Sequence, residues 1–106
     1  MDFNRVKSHV INNDVSFFKS VPGEERQTVL SLQCPKTHDT FLHVACRQGN
    51  HVMCQYLVSE NPGSVEVSNK GGKRALHEAA QFSQDQCLQV LVDAGAQVDP
   101  LKRADW

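Results

Sequence analysis

The sequence contains no apolar run approaching the roughly 20 residues needed to span a bilayer. Its start, Met1-Asp2-Phe3-Asn4-Arg5, lacks the basic-then-apolar order of a secretory signal. The expected compartment is therefore cytoplasmic or nuclear, with no membrane contact. Charge of one sign is also missing: 11 Lys and Arg stand against 12 Asp and Glu, for a net −1. That balance argues against sequence-independent nucleic-acid binding, which depends on clustered cations. Four cysteines are present, yet Cys34, Cys46, Cys54 and Cys87 form no C-x-x-C pair. Thioredoxin-type chemistry and the usual zinc spacings are not expected, and Cys46, Cys54 and Cys87 sit in apolar stretches where a reduced thiol packs as a small hydrophobe.

Catalytic signatures are equally scarce. His9, His38, His43, His51 and His77 form no H-x-x-x-H, and no G-x-S-x-G elbow occurs. The carboxylates Glu24, Glu25, Glu60, Glu66, Glu78, Asp85, Asp93 and Asp99 are spread without a convincing pair. Asn69-Lys70-Gly71-Gly72-Lys73-Arg74 has the glycines and lysine of a phosphate loop, but Lys-Arg follows the second Gly where a P-loop has Gly-Lys-Ser/Thr. A tight turn is the better reading. Neither an enzyme nor a cofactor is expected.

What the sequence does contain is an internal repeat. Asp39-Thr40-Phe41-Leu42-His43-Val44-Ala45-Cys46-Arg47-Gln48-Gly49 is echoed by Lys73-Arg74-Ala75-Leu76-His77-Glu78-Ala79-Ala80-Gln81-Phe82-Ser83, and Leu76-His77 follows Leu42-His43 by 34 residues. Tyr56-Leu57 maps onto Val90-Leu91 in step. Leu42, Ala45 and Cys46 lie at i, i+3, i+4 on one helical face, and their small members require close helix packing. Leu88, Leu91 and Val92 predict the same stripe on a second helix, stopped near Asp93 or Ala94 by Gly95. Phe3, Val6 and Val10 predict an opening helix, Asn12-Asn13-Asp14 a turn, and Val15, Phe17 and Phe18 a second helix. Glu24 to Leu32 reads as a further short helix ended by Cys34-Pro35.

This unit resembles the ankyrin repeat, with its T-P-L-H-x-A signature. Thr40, Leu42, His43, Ala45 and Gly49 carry the match in one unit; Leu76, His77, Ala79, Ala80 and Gly95-Ala96-Gln97-Val98-Asp99 carry it in the next. The resemblance implies an all-α solenoid of helix pairs and hairpin fingers. Residues 1–37 would be a degenerate capping repeat and loop, 38–71 one repeat, and 72–106 a second repeat ending in the finger of a missing neighbour. The next Leu would fall three residues past Trp106, so the array is expected to be incomplete at its C-terminus.

The resemblance also implies a non-enzymatic, monomeric protein-binding module, with a structural cap of a longer array as the alternative. Family partners contact the fingers and the exposed face of the first helix. Matching positions are Lys70, Gly71, Lys73, Arg74, Gln81 and Phe82, with Asp39, Arg47 and Gln48 in the preceding unit. Lys70, Lys73, Arg74, Lys102 and Arg103 would form a basic rim for an acidic partner, and Phe82 an aromatic anchor. Similarity of 73–80 and 98–106 to one branch of the family further implies alanyl-tRNA synthetase as partner, in editing of misactivated serine, with Lys102 at the matching loop. His43 and His77, being repeated, are read as architectural.

Overall fold

The computed structural model describes residues 2–95. Among these, α1 (Phe3–Ile11) and α2 (Val15–Ser20) form a first antiparallel pair, and α3 (Gly23–Leu30) follows. The second pair is α4 (Phe41–Gln48) and α5 (His51–Glu60), leading into a 3-10 turn at Pro62–Glu66. The third is α6 (Ala75–Gln81) and α7 (Asp85–Asp93). Inner helices α1, α4 and α6 pack in sequence, with α5 and α7 stacked behind them.

The local chemistry explains the boundaries. Asp2 and Asp14 cap α1 and α2, accepting the Arg5 N–H at 2.8 Å and the Phe17 N–H at 3.3 Å. Each helix pair turns through a left-handed residue: Asn13 (φ 58°), Gly49 (φ 76°) and Ser83 (φ 55°). At Gly49 a Cβ would meet the Gln84 Oε1 at 2.5 Å. Glycine adopts that conformation without strain, and any larger residue would have to displace the Gln84 side-chain amide.

Behind that turn lies a repeated latch. Asn50, the N-cap of α5, donates from Nδ2 to the carbonyls of Val10 (2.8 Å) and Ile11 (3.0 Å). Gln84, the N-cap of α7 and its counterpart 34 residues on, donates from Nε2 to the Arg47 carbonyl at 3.2 Å. The N-cap side chains of α5 and α7 thus bond carbonyls in the last turn of the inner helix one repeat earlier.

Phe3, Val6 and Val10 are buried as their spacing requires, and Phe3 stacks on Phe41 with ring centroids 4.7 Å apart. Phe41 through Cys46 are all buried because α4 is packed between α1 and α6, with α5 behind. The stripe on α7 differs from the expected one: Cys87 and Leu91 are buried, Leu88 is half-buried and Val92 is 38% exposed. Among the described residues the helix packs chiefly on α5 and α6, so its apolar face is narrower and begins one residue earlier. Helix α7 ends at Asp93, with Gly95 at φ 88° beyond it. The expected readings at Ala96 to Asp99, Lys102, Arg103 and Trp106 lie outside the described residues.

Candidate functional site

Two fingers stand on the inner-helix side. In the first, the Cys34 N–H donates to the Asp39 carbonyl at 2.9 Å and the His38 N–H to the Cys34 carbonyl at 2.7 Å. The break expected at Cys34-Pro35 thus opens a finger after α3. In the second, the Asn69 N–H donates to the Lys73 carbonyl (2.9 Å), and the Asn69 Oδ1 accepts the Gly71 N–H (2.9 Å) and Lys73 N–H (3.1 Å). Gly72 supplies the left-handed turn at φ 75°. The Lys70 N–H donates to the Thr37 carbonyl at 2.9 Å, joining the fingers edge to edge.

His43 pins this arrangement from below. Its Nδ1 receives the Thr40 N–H at 3.1 Å, which places the ring proton on Nε2; that N–H donates to the Lys73 carbonyl at 2.7 Å. Thr40 Oγ1 sits 2.8 Å from Nδ1 and accepts the His43 backbone N–H at 3.3 Å, closing a capping box. Burial pushes the His43 pKa down, only partly opposed by the Lys73 carbonyl and by Asp39 and Glu78. Both histidines occupy structural positions at the start of their helices; in the next unit the Arg74 N–H reaches the His77 Nδ1 at 2.9 Å.

Between fingers and helices lies an open groove of about 380 Å³, walled by Lys36, Thr37, Lys70, Gly71 and Lys73 and floored by Asp39, Arg47, Asn69 and Glu78. The floor is a closed network. Arg47 donates to Asp39 Oδ2 (3.2 Å) and to both Glu78 oxygens (3.1 and 3.4 Å), and Asn69 Nδ2 donates to Asp39 Oδ1 at 2.8 Å. Burial alone would raise the Asp39 carboxyl; hydrogen bonds from Asn69, Thr37 and Arg47 and the guanidinium charge hold it below the usual range. The Arg47 guanidinium is raised, chiefly by its bond to Glu78.

Several expected site residues change role. Glu78, expected among the scattered carboxylates, and Asp39, expected as a partner contact, are both buried floor acids, and Asp39 offers no exposed contact. They are brought together by one arginine across two repeats, a link that linear spacing hides. Arg74 turns to Glu66 (3.0 Å) and does not line the groove. Lys70 and Lys73 are exposed on its wall, and Lys73 Nζ donates to Gln81 Oε1 at 2.6 Å. Lys36, missed in the sequence, joins them from the first finger. Phe82 is 45% exposed at the end of α6, and Gln81 and Gln48 are exposed beside the fingers.

With three helix pairs and two stacked fingers in place, the comparisons agree with the architecture. A family model described as ankyrin repeats (3 copies) matches residues 9–101. The chain belongs to the ankyrin-repeat family. Ankyrin repeats are protein–protein interaction modules and typically non-enzymatic. Among curated proteins, cortactin-binding protein 2 of Ornithorhynchus anatinus is 35% identical over 60 residues, covering 57% of this chain but 4% of that relative. The matched region is thus a small part of a much longer protein.

Behind the groove, three thiols converge in the core. Cys46 Sγ lies 3.4 Å from Cys54 Sγ, which lies 3.4 Å from Cys87 Sγ. All three side chains are fully buried, from α4, α5 and α7. Hydrogen bonding with Cys54 and Cys87, together with burial, pushes the Cys46 thiol up; Cys87 is pushed down by accepting hydrogen bonds from Cys46 and Cys54.

Proposed function

We propose that this ankyrin-repeat segment binds an acidic peptide segment of a protein partner along the groove between its fingers and inner helices. One observation carries the reading: both floor carboxylates are consumed by Arg47, while Lys36, Lys70 and Lys73 stand on the walls without a carboxylate partner among the described residues. The groove therefore presents an excess of positive charge where family members meet their partners. Acidic side chains in the partner would replace water around these ammonium groups and gain steering at a distance. Phe82 lies beyond Gln81 as an apolar contact at one end.

A displayed library of peptides with balanced composition tests this. Enrichment of Asp- and Glu-rich sequences, lost in the Lys70→Glu, Lys73→Glu double variant and weakened by salt, is the expected result. Enrichment of basic or purely apolar peptides would overturn it. A variant that keeps its fold and every interaction instead marks the segment as a structural cap of a longer array.

The narrower partner reading, support of alanyl-tRNA synthetase editing of misactivated serine, rests on similarity of 73–80 and 98–106 to the N-terminal part of ankyrin repeat domain-containing protein 16. Lys102 is its proposed acceptor of activated serine. Adduct formation undiminished in Lys102→Arg would remove that residue from the mechanism. A cytoplasmic or nuclear location belongs to the same reading.

A further inference from the structure

The core trithiol cluster is not used by the groove, and its composition is specific. Cys54 and Cys87 are separated by 33 residues, nearly one repeat, so they occupy neighbouring positions on stacked outer helices; Cys46 reaches the same point from α4. Their ligand atoms all lie within 4.8 Å of one another, and the cluster contains no histidine or carboxylate. Three sulfurs at about 2.3 Å from a common centre, the usual metal–thiolate distance for zinc, would be about 4 Å apart. The present edges of 3.4, 3.4 and at most 4.8 Å bracket that triangle.

Donor type and number narrow the ion. Thiolates select soft cations, and Zn(II) in structural sites takes four ligands. A fourth protein donor is missing from the cluster among the described residues. A disulfide would consume two of the thiols and leave the third unpaired. From the three converging sulfurs and their apolar surroundings we infer that Cys46, Cys54 and Cys87 form a three-coordinate site for Cu(I). Each thiolate–copper bond forms with loss of one proton to solvent, and no electron is transferred. The ion would tie α4, α5 and α7 together across two repeats, and it would stabilise the folded chain because the unfolded chain holds no preformed site.

The test is anaerobic titration of the fully reduced 106-residue chain with Cu(I) buffered by a chromophoric chelator, followed by X-ray absorption. Expected results are one ion per chain, three sulfur neighbours and a raised unfolding midpoint. Cys34→Ser should retain full binding, since Cys34 lies apart in the first finger. Cys54→Ala should abolish it, and Cys87→Ala provides the same reading if Cys54→Ala loses its helical circular dichroism. Binding that survives both core variants but fails in Cys34→Ser would overturn the site. So would a nitrogen neighbour, equal affinity for Zn(II), absence of binding, or loss of two thiols with no metal retained.

Discussion

The two Leu-His units share a sequence pattern but not an environment. Around His43 a threonine precedes the helix and a finger covers the ring, so the imidazole bonds at both nitrogens and is fully buried. Around His77 an arginine stands in place of threonine, and the ring is only half-buried. The repeated histidine is thus a clasp whose strength is set by its neighbours. Replacing His43 by Ala should break the comparison most visibly. It removes three bonds around a buried ring, stranding the Thr40 N–H and leaving the Lys73 carbonyl with only the Asn69 N–H, for a loss of about 3 kcal/mol. His77→Ala should cost about 1 kcal/mol. Urea unfolding midpoints of the two variants measure the difference directly; equal losses would show that the clasp contributes nothing beyond packing.

Arg47→Ala comes next. It strands the buried Asp39 and Glu78 carboxylates, a change that costs several kcal/mol for a fully buried partner; with the Arg47 side chain 32% exposed, about 2 kcal/mol is expected. Adding Asp39→Asn and Glu78→Gln should recover much of that loss by removing the stranded charges. Failure of the triple variant to recover would mean that Arg47 acts through packing alone.

Acid should separate the same groups. His43 has a folded pKa below its unfolded value near 6.5, so the unfolded chain binds the proton first. Stability is full above that value and falls as pH drops through it. Asp39 is also held low, relative to about 3.8, so its contribution is present above that pH and lost below it. Unfolding midpoints should therefore decline in two stages, and His43→Gln should reduce the first, to which His77 also contributes because burial lowers its pKa, while leaving the second. A wild-type profile flat between about pH 7.5 and 5 would contradict the burial of a neutral imidazole.

Much of the fold was legible because the 34-residue recurrence carries small residues, turns and helix faces together. Phe3, Val6 and Val10 on α1 and the stop at Gly95 follow from local rules alone. What escaped was information carried between repeats. The first finger is built from Cys34, His38 and Asp39 by backbone bonds that many sequences can make, with His38 left-handed at φ 62° without being glycine. The Arg47–Glu78 link of the floor and the Cys54–Cys87 link of the trithiol cluster join residues 31 and 33 positions apart, where only the stacking of one unit on another makes them neighbours. The shift of the α7 stripe from Val92 to Cys87 has the same origin, since its direction depends on what packs beside it.

Transplanting the missing hydroxyl sharpens the comparison by a smaller amount. Arg74→Thr gives up an ion pair with Glu66, worth at most about 1 kcal/mol at the surface. It introduces an N-cap able to bond His77 as Thr40 bonds His43, for a net gain of about 0.5 kcal/mol. The diagnostic result is coupling: His77→Ala should become more costly in the Arg74→Thr background than alone. Additive effects would show that threonine at that position does not recruit the ring.

The smallest stability effect is expected at Phe82, which sits where α6 ends and where α4 has Gln48 and Gly49. Its 45% exposure means that Phe82→Ala should alter the unfolding free energy by no more than about 0.5 kcal/mol. Binding of acidic peptides should nevertheless weaken several-fold if its ring covers part of the partner, because an exposed aromatic gains most of its burial only in the complex. The corresponding change Gln48→Ala in the preceding unit should leave binding nearly unchanged. Equal effects of the two substitutions would place the apolar contact elsewhere and leave the lysines as the only basis for recognition. A loss of stability at Phe82 comparable to that at His77 would instead make the ring part of the fold.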